Sequence, residues 1–159
     1  MTYIAKKYRR FGRCQRGTAA VEFALASVPL MIMLFGFIAT NALFFTWSTM
    51  QNNVQYAARM MATGQVTSLK SGALSATNTS DTVSCGSTLN STQVEYYACT
   101  GLPSWASFTV TATENCAAPS VTVSLSANAS AAALADVYAI FAGKTISAQA
   151  VMMKEATCP

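Results

Sequence analysis

The sequence predicts an α+β fold in which one long N-terminal helix packs on a small antiparallel sheet. Three patterns carry that expectation. Phe23 to Phe45 is a run of 23 residues without a charge. Apolar residues then recur at spacings of three and four as far as Met61, the period of one helix face. From Phe108 onward the period changes to two, with apolar residues alternating against Ser and Thr, as in strands buried on one side.

Roughly 20 helical residues cross the hydrocarbon core of a bilayer, so the uncharged run is long enough to span one. Its flank fixes the direction. Lys6, Lys7, Arg9, Arg10, Arg13 and Arg16 all precede the first acid, Glu22. Beyond residue 17, four cations (Arg59, Lys70, Lys144, Lys154) face six acids, so the formal net charge of +4 belongs to the N-terminus. A basic flank beside an apolar run marks a cytoplasmic leader or anchor rather than a nucleic-acid arm, and no nucleic-acid partner is expected. The positive-inside rule places the N-terminus in the cytoplasm and everything after Phe45 outside. Pro29 is expected to kink the helix about two turns from its start.

The expected divisions are a basic leader (1–17), a transmembrane helix (18–46), an amphipathic extension (47–64) and an extracytoplasmic Ser/Thr-rich β domain (65–159). In the extension, Trp47, Met50, Val54, Ala57, Ala58 and Met61 form an apolar stripe opposite Ser48, Gln51, Asn52, Gln55 and Arg59. Such a stripe needs a cover. Gly64 is the expected stop.

Residues 65–92 are rich in Ser, Thr, Gly and Asn and read as a surface loop. Strands are expected where Phe108, Val110 and Ala112, then Val121, Val123 and Leu125, then Ile146, Ala148, Ala150 and Met152 alternate with polar residues. Val94–Cys99 is expected to add a fourth. Before the last strand, Ser130 can cap a short helix over 130–142 with Leu134, Val137, Tyr138 and Phe141 on one face, closed by Gly143. Tyr96, Tyr97 and Trp105 are assigned to strand core in preference to an exposed adhesive patch.

Of the five cysteines, Cys14 lies on the cytoplasmic side, while Cys85, Cys99, Cys116 and Cys158 lie outside, where disulfides persist. Antiparallel pairing of strands 120–126 and 145–153 brings Cys116 opposite Cys158. That leaves Cys85 with Cys99. Zinc is not expected, because no CxxC pair occurs and His is absent.

The composition narrows the chemistry further. Charged residues are 10% of the chain, against about 25% in ordinary soluble domains. The lack of His removes the Ser-His-Asp and Cys-His relays, and the six acids are scattered. Gly143-Lys144-Thr145 lacks the upstream Gly and the preceding strand of a phosphate loop. No enzymatic activity, metal or cofactor is expected.

The informative stretch is Arg16-Gly17-Thr18-Ala19-Ala20-Val21-Glu22-Phe23. A lone carboxylate at the start of a membrane helix is costly unless neutralised; a purely local account would place Glu22 in the headgroup layer, favouring the helix N-terminus. Basic leader, Gly17, Thr18, Glu22 and spanning helix together resemble the processing site of type IV prepilins. Within that superfamily, RGTAAVEFAL, Pro29-Leu30, Gly36, Leu43-Phe44-Phe45, Thr49, Gln51-Asn52 and Ala57-Ala58-Arg59 resemble the TadE-like pseudopilins of the tight-adherence (Tad, Flp-type) pilus. The resemblance covers about residues 16–64. It implies a pilin-like fold, removal of the leader between Gly17 and Thr18 by a membrane prepilin peptidase, and pairing of Glu22 with the N-terminal amine of a neighbouring subunit. It also implies other pilins or pseudopilins and the pilus assembly platform as partners, with the amphipathic stripe as one place for them, and residence in the bacterial inner membrane before assembly. Where such proteins often carry a second acid, this chain has Ala39.

Two other readings compete. One is a bitopic membrane protein with an extracytoplasmic binding domain that is never cut. The other, a secreted protein with an ordinary signal peptide, is disfavoured because the apolar run exceeds a usual h-region.

Overall fold

The computed structural model describes residues 18–66, 79–115, 117–133 and 141–155. The chain divides into two compact units, residues 1–38 and 39–159. A single helix, α1, runs from Thr18 to Ala62, so the apolar and amphipathic runs form one element, as their common period dictates. In the first unit Phe23, Leu25, Met33 and Phe37 are 69–75% exposed. Pro29 sits inside the helix, where its ring removes the bond to the Leu25 carbonyl. Just before it, the Ser27 hydroxyl donates to the Ala24 carbonyl at 3.0 Å. After Ala62, Gly64 adopts φ 70°, a left-handed conformation that glycine enters without steric cost.

The second unit is built on a sheet. Strands β1 (Thr79–Ser84), β2 (Phe108–Asn115), β3 (Ser120–Asn128) and β4 (Thr145–Met153) lie in that order, each antiparallel to its neighbour. Ser120 faces Met153 and Asn128 faces Thr145, so the last two strands pair as expected. The β2–β3 connection is an Asx turn, with Asn115 Oδ1 accepting from the amides of Ala117 and Ala118. Cys116 and Cys158, the expected second disulfide, lie outside the described residues.

Along β2, Phe108, Val110 and Ala112 point inward, as do Val121, Val123 and Leu125 along β3. Met50, Val54, Ala57, Ala58 and Met61 of α1 pack in the same core. The chain therefore covers its own amphipathic stripe. The stripe begins one residue earlier than the sequence indicates: Thr46 is fully buried, whereas Trp47 is 41% exposed. Thr46 precedes Met50 by one helical turn, and its hydroxyl donates to the Ala42 carbonyl at 2.9 Å, which lets a polar side chain occupy an apolar face.

Three elements depart from the sequence reading. Thr79–Ser84 is a strand, not loop. Its inward residues are Asp81 and Val83, so apolar alternation is absent there. Val94–Cys99 is a helix, α2, not a strand. Val94 and Ala98, one turn apart, are buried, and Asn53 of α1 donates through Nδ2 to the carbonyls of Ala98 and Thr100 at 3.2 and 2.6 Å. Gly101 follows at φ 73°. A helix end whose orphan carbonyls are taken up in this way is stable where an isolated six-residue helix is not. Third, helix α3 covers Ala129–Ala132, and its N-cap is Asn128 rather than Ser130: Asn128 Oδ1 accepts from the Ser130 amide and hydroxyl at 3.1 and 2.8 Å. Residues 134–140, the rest of the expected helix, lie outside the described residues.

The outward face of β1, β2 and β3 is composed mainly of hydroxyls, while β4 adds Gln149, Val151 and Met153 beside its Thr145 and Ser147. The register places Thr82, Thr111 and Ser124 in one row across β1, β2 and β3. On one side lies the row Ser84, Thr109 and Ser126; on the other, Ser80, Thr113 and Thr122. Neighbours bond to each other, Thr82 to Thr111 at 3.0 Å and Ser80 to Thr113 at 3.1 Å.

Candidate processing and assembly site

Of the two residues expected to flank the processed bond, Gly17 lies outside the described residues and Thr18 is the first residue of α1. Glu22 lies four residues further on and is exposed. No acid occupies the first turn of α1. The field of a helix terminus fades within that turn, so Glu22 in the second turn gains little from the helix dipole. Between Glu22 and Arg59 the helix carries no charged residue, and it meets the length and composition needed to cross a membrane. The side chains beside Glu22 are apolar and exposed: Val21 is 59% and Phe23 75% accessible. Ala39, where the family resemblance led to the expectation of a second acid, is 5% exposed within the second unit; an acid there would have to be neutralised by a partner.

The cysteine site is in the sheet domain. Cys85 directly follows β1 and Cys99 ends α2; they form a disulfide with Cα atoms 5.3 Å apart across a sequence separation of 14. The Cys85 amide also donates to the Phe108 carbonyl at 2.9 Å, continuing the β1–β2 ladder. A depression of about 400 Å³ lies beside this bond, lined by residues that include Ser84, Cys99, Leu102, Ser104 and Phe108.

Two further features were not read from the sequence. Glu114, on the inner face of β2, forms an ion pair with Lys154 just beyond β4. It lies two register positions from Asp81, whose own partner is Ala112. The adjoining Glu155 amide donates to the Ala62 carbonyl at 3.0 Å, so this segment ties β2, the exit of β4 and the end of α1 together. A spacing rule could not find it, because 40 residues separate the two charges. Tyr96 and Tyr97, assigned to strand core, lie on α2 instead. Tyr97 stacks edge-on against Tyr56 of α1 and against Tyr96, with centroids 5.8 and 5.4 Å apart. Tyr96 and Trp105 are exposed. Among the described residues no three His, Cys, Asp or Glu side chains group as metal ligands would.

No curated protein and no solved structure matches the chain. Residues 17–59 match the model of the family described as TadE-like protein. The matched segment starts at the expected cleavage position, includes Glu22, and ends at Arg59 within α1, leaving the sheet domain outside it. Over that segment, about a quarter of its length, the chain is similar to the TadE-like proteins.

Proposed function

We propose that this chain is a minor pseudopilin that takes part in assembly of a Tad-type adhesion pilus and is not an enzyme. In this reading a prepilin peptidase hydrolyses the Gly17–Thr18 bond on the cytoplasmic side of the bacterial inner membrane and releases the basic leader. Helix α1 then holds the subunit as a single pass, with the sheet domain in the periplasm. During assembly the Glu22 carboxylate meets the Thr18 ammonium of a neighbouring subunit. Other pilins or pseudopilins and the assembly platform are the partners.

The observation that carries this reading is Glu22 itself: an exposed carboxylate, the only acid of α1, beyond the reach of the helix terminus and flanked by apolar side chains. A charge left alone in an apolar setting is expensive, and an ammonium brought to it as both leave water removes two uncompensated charges together. The amine that can do this exists only after cleavage next to Thr18, which ties processing to assembly.

The test is the N-terminal sequence and intact mass of the protein, produced with and without the prepilin peptidase of its own system. A peptidase-dependent start at Thr18 supports the reading. An intact N-terminus in both cases sinks it and leaves an uncleaved bitopic protein with an extracytoplasmic binding domain.

A further inference from the structure

From the level at which the sheet domain packs on α1, we infer that the domain docks on the lipid headgroup layer of the membrane that α1 crosses. The contact surface is the end of the domain that carries Trp47, Trp105 and Lys144. The inference rests on α1 spanning a bilayer, and on neither the cleavage nor the pilus of the reading above.

Counted from Phe23, about 20 helical residues cross the hydrocarbon core, and the headgroup layer adds about 5–7 Å on each side, or about four residues at about 1.5 Å each. On the side of the sheet domain, that layer meets α1 between Leu43 and Trp47. Within this stretch the fully buried Thr46 hydroxyl, which donates to Ala42, also lies 3.4 Å from the carbonyl of Ala132 at the end of α3. Ala39, deeper in the uncharged run, is 5% exposed and belongs to the same compact unit as the sheet. The domain is therefore packed on α1 at the depth of the headgroups.

The Thr46–Ala132 contact also fixes which end of the sheet is nearest the lipid. Asn128, the last residue of β3, faces Thr145, the first of β4, and Phe108, the first of β2, faces Ala127. All of these lie at the α3 end. Lys144 is held there by its carbonyl, which accepts from the Ala129 amide at 2.8 Å, and Trp105 lies in the turn that leads into Phe108. The opposite end of the sheet is tied to the far end of α1, where the Glu155 amide donates to the Ala62 carbonyl.

Both tryptophans of the chain thus fall at the membrane end, with Trp47 41% and Trp105 52% exposed. Phe44, 67% exposed, sets its ring beside that of Trp47, with centroids 6.1 Å apart. An indole at headgroup level places its apolar body against acyl chains and its N–H toward water, which is why Trp concentrates at membrane interfaces. Lys144 is exposed as well. Its stem can lie along apolar surface while the ammonium meets lipid phosphate. A spanning α1 already brings the bilayer to this level, so lipid is the cover that reaches these rings first.

The test uses the full chain in vesicles of phosphatidylcholine and phosphatidylglycerol, with bromine on the acyl chains either near the headgroup or near the bilayer centre. Each tryptophan is read alone, Trp47 in Trp105→Phe and Trp105 in Trp47→Phe. Both side chains are exposed, and an unchanged circular dichroism melt shows that each variant is folded. Trp105 is expected to lose about half of its emission to the shallow bromines and much less to the deep ones, as a side chain at the interface does. Trp47 should follow the same order, and reports that α1 has inserted. Lys144→Glu, added to Trp47→Phe, should reduce the quenching of Trp105 about twofold, because attraction to anionic headgroups becomes repulsion. Quenching of Trp47 without quenching of Trp105 overturns the docking alone and leaves α1 as a span. Quenching of neither overturns the docking together with the span on which it rests. A Trp105 with blue-shifted emission that bromine does not touch is covered by protein and overturns the inference too. Quenching of Trp105 that Lys144→Glu leaves unchanged removes the ionic contact from it.

Discussion

Lys154 and Glu114 form an ion pair in which both side chains are almost wholly withdrawn from water, 4% and 3% exposed. It joins the exit of β4 to the inner end of β2, at the corner where the Glu155 amide reaches the last carbonyl of α1. Glu114 Oε2 has no hydrogen-bond partner, so the pair is incompletely satisfied. Desolvation then offsets much of the Coulombic gain.

Removing Lys154 alone should therefore be costly. Lys154→Met leaves a buried carboxylate and should lower stability by about 3–5 kcal/mol. In a domain of this size that is a fall in Tm of at least about 10 °C. The double variant Glu114→Leu/Lys154→Met removes the stranded carboxylate of this pair and should melt above Lys154→Met. Thermal melts of the three proteins decide it, and a single variant melting within about 2 °C of the parent would show the pair to be energetically neutral.

Asn53 makes the contact that sets α2 as helix. Asn53→Ala withdraws two donors from the Ala98 and Thr100 carbonyls and should cost about 1–2 kcal/mol. Asn53→Asp should cost more, because a carboxylate only accepts. Hydrogen exchange gives the readout: protection should fall first in residues 94–100, and uniform loss over the whole sheet domain would contradict a local clamp.

These two contacts show why part of the fold is legible in the sequence and part is not. Strands β2, β3 and β4 are readable because Phe108, Val110, Ala112, Val121, Val123 and Leu125 alternate with hydroxyl residues and one face is buried. β1 is hidden because an acid, Asp81, takes an inward position and Val83 alone is apolar among its inward residues. Val94-Glu95-Tyr96-Tyr97 has strand-forming composition, yet Asn53, distant in sequence, supplies the partners that favour helix. Thr46 is missed for a similar reason: its hydroxyl is satisfied by the carbonyl one turn back, which no residue scale records. The alternating threonines are visible as letters, but the rows across the sheet exist only once β1 is known to lie beside β2. At the candidate processing site, the residue pattern carries the proposal and the structure adds that Glu22 lies beyond the first helical turn.

The Cys85–Cys99 disulfide closes a short loop that carries the start of α2. Replacing both cysteines by Ser should lower the stability of the sheet domain by about 3 kcal/mol, the chain-entropy value for a loop of this length. Reductant should shift the melt of the parent chain downward and leave the double variant unchanged. A parent chain insensitive to dithiothreitol, with the bond shown to be reduced by mass, would mean that packing alone holds α2 in place.

On the proposed function, substitution of Glu22 should separate processing from assembly. Glu22→Ala leaves Gly17 and Thr18 in place, so peptidase cleavage should still yield a chain starting at Thr18. Incorporation should fail, because the ammonium freed by cleavage would enter an apolar bundle without its counter-charge. Loss of about 3 kcal/mol for a broken buried pair corresponds to roughly a hundredfold fall in assembled protein at equilibrium. Glu22→Gln keeps a hydrogen-bond acceptor but no charge and should fall between the two. The measurement is the fraction of processed chain recovered in sheared surface filaments against the fraction left in the membrane. Normal recovery of the Ala variant would remove the amine-pairing role, while a variant that is itself uncleaved would place Glu22 in peptidase recognition instead.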